Sequence, residues 1–333
     1  MARNLQKTGH AAPSSSNMKR RDLLLVKSGG AAALPEWQAH FAEFAPDLEV
    51  RGWDDPSVDA DAVTHVLVWE PQPGRLARYR HLRTIFSSAA GVDHITGDPD
   101  LPHGVPIVRM SIEETSQTMG EYVCLAALSI LRDGHRLSAA QANRRWDSFE
   151  QPHTARDKRV GILGMGNIGQ VVARMLRGLG FTVSGWARSG RALDGVDVHW
   201  GEDGLDRLLT ESDILVGLLP ETPQTRGLID ARRLSRLPRG AGIVNAGRGS
   251  LIVMPDLIAA LDEGHLGAAW LDVFEPEPLP ADHPAWRHPR ITVTSHVAGF
   301  SSRRGRAAAV VAALAAAARG EPMPNLFQPD RGY

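Results

Sequence analysis

Apolar positions along the chain fall into short continuous runs that alternate with stripes at helical spacing. Runs at 22–26, 63–69 and 83–87, with a helix near 37–44, predict a first α/β unit. From Ser116 to about Leu137 the apolar residues Met119, Tyr122, Val123, Ala126, Leu128 and Ile130 keep helical spacing and predict one long connecting helix. A second series of runs follows at 160–163, 181–186, 214–219, 242–245, 268–273 and 291–295, and predicts six parallel strands. A last helix, capped by Ser301 or Ser302, runs to about Arg319. Alternation of this kind predicts an α/β fold with doubly wound parallel sheets. The pattern marks a first unit over 18–115, a second over 116–298, and a closing helix with its tail over 299–333. Residues 1–17 are polar, small and aperiodic, and are expected to be a disordered extension.

Composition narrows the function classes. The 333 residues carry 37 Lys and Arg against 38 Asp and Glu, which argues against nucleic acid or an anionic membrane as a partner. With 43% hydrophobic and 23% charged residues, the chain can bury proper cores. No apolar run approaches the roughly 20 residues that a bilayer span requires, and the segment MKRRDLLLV is too short in apolar residues for an export signal. One cysteine, Cys124, leaves no internal disulfide or cysteine-based zinc cluster and fits the cytoplasm. His283 and His288 lie in a proline-rich loop without ligand spacing, so no metal site is expected.

The segment RVGILGMGNIGQ carries the first recognisable chemistry. Gly164, Gly166 and Gly169 stand in G-x-G-x-x-G spacing directly after an apolar strand, and Ile168, Val171, Val172, Met175, Leu176 and Leu179 continue as a helix stripe. Gly164 suits a tight turn, Gly166 the approach of a pyrophosphate, and Gly169 close packing of helix on strand. The N–H groups opening the helix, with its positive dipole end, then suit phosphate oxygens. Met165, Asn167 and Ile168 complete this loop as expected dinucleotide contacts. The fold expected is therefore two Rossmann-like domains with a cleft between them.

An NAD site places an acid about 20 residues beyond such a loop, on the ribose 2′-hydroxyl. Here no Asp or Glu occurs between Gly169 and Asp194. The second strand ends instead in Trp186, Ala187, Arg188 and Ser189, with Arg191 close behind, a cationic setting for a 2′-phosphate. These residues predict NADPH in preference to NADH.

Three later segments sit at predicted strand ends: IVNAGRGS with Arg248, LDVFEPEPLP with Glu277, and ITVTSHVAG with His296. With SAAGVDHI (88–95), MGEYV (119–123) and LLPETPQTRGLI (218–229), they resemble the D-2-hydroxyacid dehydrogenase family over nearly the whole chain after Met18. Within that family the chain is most similar to the branch that reduces glyoxylate and hydroxypyruvate. The resemblance implies that Arg248 anchors a 2-oxo acid, that His296 carries the proton, and that Glu277 is its partner. It implies contacts from Asp272 to the nicotinamide, from Leu219, Pro220, Thr225 and Ala246 to the cofactor, and from Ala90, Gly91 and Trp69 to substrate. It also implies a homodimer.

The chemistry agrees with those roles. A guanidinium can grip a carboxylate and the adjacent carbonyl through a planar fork. The carbonyl oxygen gains charge as hydride arrives, so a nearby imidazolium can supply the proton, and a carboxylate beside it favours the protonated ring. Two departures stand out: Ser295 occupies a position usually held by proline, which removes a fixed φ before His296, and Gly247 replaces the usual Ser or Ala before Arg248. The expected activity is NADPH-dependent reduction of small 2-oxo acids, glyoxylate and hydroxypyruvate foremost. The alternative class is a dinucleotide-sensing binding protein of the corepressor type. The lack of a long partner-binding extension favours the enzyme.

Overall fold

The computed structural model describes residues 21–188, 193 and 195–329. The expected extension over 1–17, together with Ser189 and Arg191, lies outside the described residues. Strands β1 (Leu23–Lys27), β2 (Glu49–Gly52), β3 (His65–Val68), β4 (Thr84–Ser87) and β5 (Ile107–Val108), with helices α1 (Leu34–Phe44) and α2 (Asp93–Thr96), make up the first unit. Its sheet is parallel, in the order β2-β1-β3-β4-β5. The three inner strands are buried on both faces: β1 opens on an apolar run, LLLV, while β3 starts with His65 and β4 sets Ile85 and Phe86 between buried Thr84 and Ser87. β2 and β5 went unforeseen because β2 is an edge strand, EVRG, with Val50 alone buried, and β5 has two residues; neither supports a periodic signal.

The connecting segment is two helices rather than one. α3 (Glu113–Leu131) stops before Asp133, whose φ of 51° is left-handed, and α4 (Gly134–Ala142) restarts beyond it. Aspartate tolerates that conformation better than most residues, and a two-residue interruption leaves an apolar stripe almost unchanged.

The second unit runs β6 (Arg159–Leu163), α5 (Asn167–Gly178), β7 (Thr182–Trp186), β8 (Asp197–His199), α6 (Gly201–Glu211), β9 (Ile214–Gly217), α7 (Ala231–Leu234), β10 (Ala241–Asn245), α8 (Met254–Asp262), β11 (Leu266–Leu271) and β12 (Ile291–Val293). Its parallel sheet has the order β12-β11-β10-β9-β6-β7-β8, one strand more than the six expected. The addition is β8, a polar edge strand reading DVH. Val123, Ala126 and Ala127 of α3 and Val172 and Leu176 of α5 pack on one sheet face against Val160 and Ile162. Leu205 and Leu209 of α6 and Leu257 and Leu261 of α8 cover the other face, against Leu215, Ile243 and Leu271. The final helix, α9 (Arg303–Ala318), leaves this unit and packs Ala307, Val310 and Ala313 with Val26, Trp37, Phe41 and Phe86 on the first sheet.

Strand direction decides where chemistry collects. Chain order reverses between β6 and β9 in the larger sheet, and ligands of open parallel sheets bind outside the C-terminal strand ends at such a switch. The Gly164 loop follows β6, Leu219 and Pro220 follow β9, Arg248 follows β10, Glu277 follows β11 and His296 follows β12. Trp69 and Ala90 to Gly91 follow β3 and β4 of the smaller sheet and meet them from the opposite side.

Candidate active site

The glycine loop has the geometry its spacing demands. Gly164 takes φ +110°, and its N–H donates to Trp186 O at 2.9 Å, which ties the turn to β7. A Cβ at Gly169 would overlap Gly164 O and lie 3.0 Å from Gly164 C, so helix and turn touch there through backbone alone. At Gly166, which caps the N-terminus of α5, a Cβ would meet nothing within 4 Å: this is the open crest of the loop. Met165 points the other way, buried against Gly185 in the sheet, while Asn167 is exposed beside Gly166 and Ile168 packs into the core below. A dinucleotide pyrophosphate fits this cradle, with open backbone at Gly166 and the first N–H groups of a twelve-residue helix behind it.

Arg248 reaches from the larger unit to the smaller. Its Nε–H and one Nη2–H donate to the same oxygen, Asp93 Oδ1, at 3.0 and 2.7 Å, and Nη1 donates to Gly247 O at 2.8 Å. Asn245 organises the turn beneath: its Nδ2 donates to Arg248 O at 2.9 Å and its Oδ1 accepts Gly247 N–H at 3.2 Å. Gly247 is needed in that turn, since a Cβ would come within 2.8 Å of Leu219 O. Across the cleft the Nη2 end of the guanidinium lies close against Gly91, where a Cβ would overlap Nη2 and sit 2.8 Å from Cζ. Burial would raise the Asp93 carboxyl, but the charge and hydrogen bonds of Arg248 outweigh it and hold the group below the usual carboxylate value.

His296 Nδ1 and Glu277 Oε2 are 2.7 Å apart, and Glu277 Oε1 accepts Phe274 N–H at 2.8 Å. Burial would raise the Glu277 carboxyl. The His296 hydrogen bond, the Phe274 N–H and the charges of His296 and Arg248 together hold it low, hence ionised. The histidine has φ +54°, an uncommon left-handed conformation that its hydrogen bonds sustain. His296 N–H donates to Asp272 O at 2.8 Å, while Val297 N–H and Ala298 N–H donate to the two Asp272 carboxylate oxygens at 2.9 Å each. The loop is thus fixed by a buried carboxylate where proline is absent at Ser295. Thr294 Oγ1 gives its proton to Asp272 Oδ1 at 2.6 Å, so Tyr122 donates to Thr294 at 2.6 Å and ties α3 to the same loop. Burial pushes the Tyr122 phenol above its ordinary range, which keeps it a donor.

Comparison with known proteins fits this geometry. Residues 124–298 match the family model described as D-isomer specific 2-hydroxyacid dehydrogenase, NAD binding domain. The chain belongs to the D-isomer specific 2-hydroxyacid dehydrogenase family. It is 35% identical over 303 residues to a glyoxylate/hydroxypyruvate reductase A of Serratia proteamaculans, covering 90% of this chain and 96% of that protein. A D-isomer specific 2-hydroxyacid dehydrogenase from Xanthobacter autotrophicus, in complex with NADPH and MES, superposes with a TM-score of 0.88 at 38% identity; the match covers 94% of this chain and all of that one. An NADPH-dependent glyoxylate/hydroxypyruvate reductase from Sinorhizobium meliloti, in complex with NADP and sulfate, gives 0.87 at 37%, with the same coverage.

For a member of this NAD(P)-dependent oxidoreductase family, the structure gathers Arg248, Glu277, His296, Trp69 and Gly91 into one cleft. The Trp69 ring stands edge-on to His296 at 5.8 Å and lies 4.3 Å from His94, centroid to centroid. Its backbone is held by Lys27, whose Nζ donates to Trp69 O at 3.0 Å and to Glu70 O. Ala90 lies beside Gly91 in the loop after β4. Other expected contacts serve their own loops as well. Thr225 donates to Pro220 O at 2.7 Å and accepts Thr222 N–H at 2.9 Å, which closes the turn after Leu219. Trp186 donates to Gly201 O at 2.9 Å, and Ala246 is buried with its N–H on Gly217 O. Arg188 is exposed just past the end of β7.

Sequence reasoning missed Asp93, His94, Asn245 and Lys27 as parts of the site. Asp93 and His94 lie within the SAAGVDHI segment, yet nothing in the chain announces an ion pair spanning 155 positions. Burial pushes His94 down to about 4, and the charge of Asp93 only partly opposes it, so the ring is neutral near pH 7. Among the described residues no His, Cys, Asp and Glu cluster is placed to hold a metal ion, and no helix is long and apolar enough to cross a membrane.

Proposed function

We propose that the protein reduces small 2-oxo acids to 2-hydroxy acids with NADPH, with glyoxylate and hydroxypyruvate as the leading substrates. The observation that carries this reading is the convergence of Arg248 and the His296–Glu277 pair at the C-terminal strand ends, beside an intact dinucleotide loop. On this reading the chain is two domains, 18–115 with 299–333 and 116–298, whose cleft holds the substrate. A homodimeric, cytoplasmic enzyme is the setting that goes with it.

When bound, the nicotinamide supplies hydride to the substrate carbonyl carbon. Arg248 binds the carboxylate and carbonyl of the acid, and the backbone of Ala90 and Gly91 receives the carboxylate from the other side. His296 presents Nε2 to the carbonyl oxygen, because Nδ1 is engaged by Glu277, and releases its proton there as negative charge develops. Glu277, ionised and fixed by Phe274 N–H, orients the ring through Nδ1. Asp272 keeps His296 in its left-handed conformation. Trp69 covers the cleft over the ring, which helps exclude water.

The cofactor preference rests on the lack of any acid between Gly169 and Asp194 and on Arg188 at the end of β7. The NADPH and NADP complexes of the similar proteins from Xanthobacter and Sinorhizobium support it. Steady-state oxidation of NADPH and of NADH over a panel of glyoxylate, hydroxypyruvate, pyruvate and bulkier 2-oxo acids tests the whole reading. Arg248→Ala and His296→Ala should abolish turnover, and Arg188→Asp should erode the NADPH preference. Turnover surviving both alanine substitutions, or no turnover of any 2-oxo acid by the parent, would overturn it.

A further inference from the structure

We infer that Asp93 is a positioning residue that aims Arg248 and restricts this site to 2-oxo acids bearing a single carboxylate. The inference deepens the reading above, since it takes Arg248 as the carboxylate anchor. Donor counting carries the first half. Arginine has five N–H groups. Asp93 Oδ1 takes Nε–H and one Nη2–H along the side of the guanidinium, and Gly247 O takes one Nη1–H. One N–H on each terminal nitrogen remains, and this end-on pair matches the two oxygens that a 2-oxo acid presents. A side-on grip from Asp93, with the Nη2 end held close to Gly91, fixes which edge of the fork meets the ligand.

Charge carries the second half. The groups gathered around the fork are Asp93 and Glu277, both held ionised, and His94, held neutral. His296 is claimed by Glu277, and Lys27 is turned to the carbonyls of Trp69 and Glu70. One carboxylate on the ligand is met by the free edge of Arg248. A second would face Asp93 and Glu277, with no further cation among the described residues hydrogen-bonded into this group, and like charges at such range are repelled most where solvent is thin.

The test compares the parent, Asp93→Asn and Asp93→Ala with NADPH and three substrates: glyoxylate, pyruvate, and oxomalonate, in which a second carboxylate replaces the methyl group of pyruvate. Asparagine keeps an acceptor for Arg248 but removes the charge; alanine removes both. Asp93→Asn should shift the ratio of kcat/KM for pyruvate over oxomalonate toward oxomalonate about tenfold, or ~1.4 kcal/mol, and should raise KM for glyoxylate less than alanine does. Asp93→Ala should raise that KM about tenfold. A merely structural defect would lower all three substrates alike and leave the ratio in place. A ratio that moves less than about threefold in Asp93→Asn overturns the charge role even if the alanine variant does not fold. A glyoxylate KM that stays put in a folded Asp93→Ala overturns the positioning role. Absence of turnover by the parent defeats the substrate-class reading itself, and Asp93 with it.

Discussion

Gly91→Ala is a one-carbon change whose consequence can be worked out from the structure. The added Cβ would overlap Arg248 Nη2 and lie 2.8 Å from Cζ and 2.9 Å from Asp93 Oδ1. To restore an ordinary separation of about 3.5 Å, the guanidinium carbon must withdraw by about 0.7 Å and Nη2 by more than that. Such a withdrawal breaks the 2.7 Å bond to Asp93 and swings the free edge of the fork away from the loop. Hydrogen bonds between charged groups contribute roughly 1.5–3 kcal/mol, and Arg248 and Asp93 are 18% and 36% exposed, which places this pair at or below the lower end. Misaimed binding of substrate and transition state should therefore cost about tenfold in kcat/KM, roughly 1.4 kcal/mol, mostly through KM. The backbone at Gly91 is outside the left-handed region, so alanine introduces no φ strain and the melting temperature should hardly move. NADPH affinity, set at the Gly164 loop, should be unchanged. The assay is NADPH oxidation with glyoxylate, beside a thermal melt and a cofactor titration. A folded variant whose kcat/KM stays within about threefold of the parent would show that the guanidinium does not act from where it now lies.

Two further outcomes follow from other parts of the molecule. Gly169→Ala forces a side chain onto the Gly164 backbone, which cannot yield, and should cost ~1–3 kcal/mol of stability along with dinucleotide binding; Gly166→Ala, at the open crest, should weaken NADPH binding with no loss in the melt, and equal melts for the two variants would refute the packing argument. His65 is 3% exposed, with neither ring nitrogen hydrogen-bonded among the described residues, and burial, helped by the Arg83 charge against Asp22, pushes it down to about 4. The unfolded chain takes up that proton near pH 6.5 and the folded one near 4, so stability should fall as pH drops through this window, by at most ~3 kcal/mol from this ring. His65→Leu should flatten the dependence of the melting temperature on pH, whereas parallel curves for variant and parent would show that the ring does not titrate in the fold.

What the sequence alone determined was everything carried by short-range pattern. The Gly164 loop is legible because its three glycines, the strand before it and the helix after it are contiguous, and each glycine answers a local steric need. The buried parallel strands are legible because coverage on both faces favours apolar runs. Arg248, Glu277 and His296 were visible as motifs at strand ends, and the missing acid after β7 was visible as a gap. Tertiary structure decided the rest, because the forces involved act across long separations. The Arg248–Asp93 pair joins loops 155 residues apart, and the space at Gly91 has meaning only once a guanidinium fills it. The Tyr122–Thr294–Asp272 chain holds His296 from a helix 172 residues earlier. Edge strands β2, β5 and β8 form because neighbouring strands offer them hydrogen bonds, not because their own residues insist on extension. Local sequence chose the chemical groups, and packing of the two sheets chose which of them face one another.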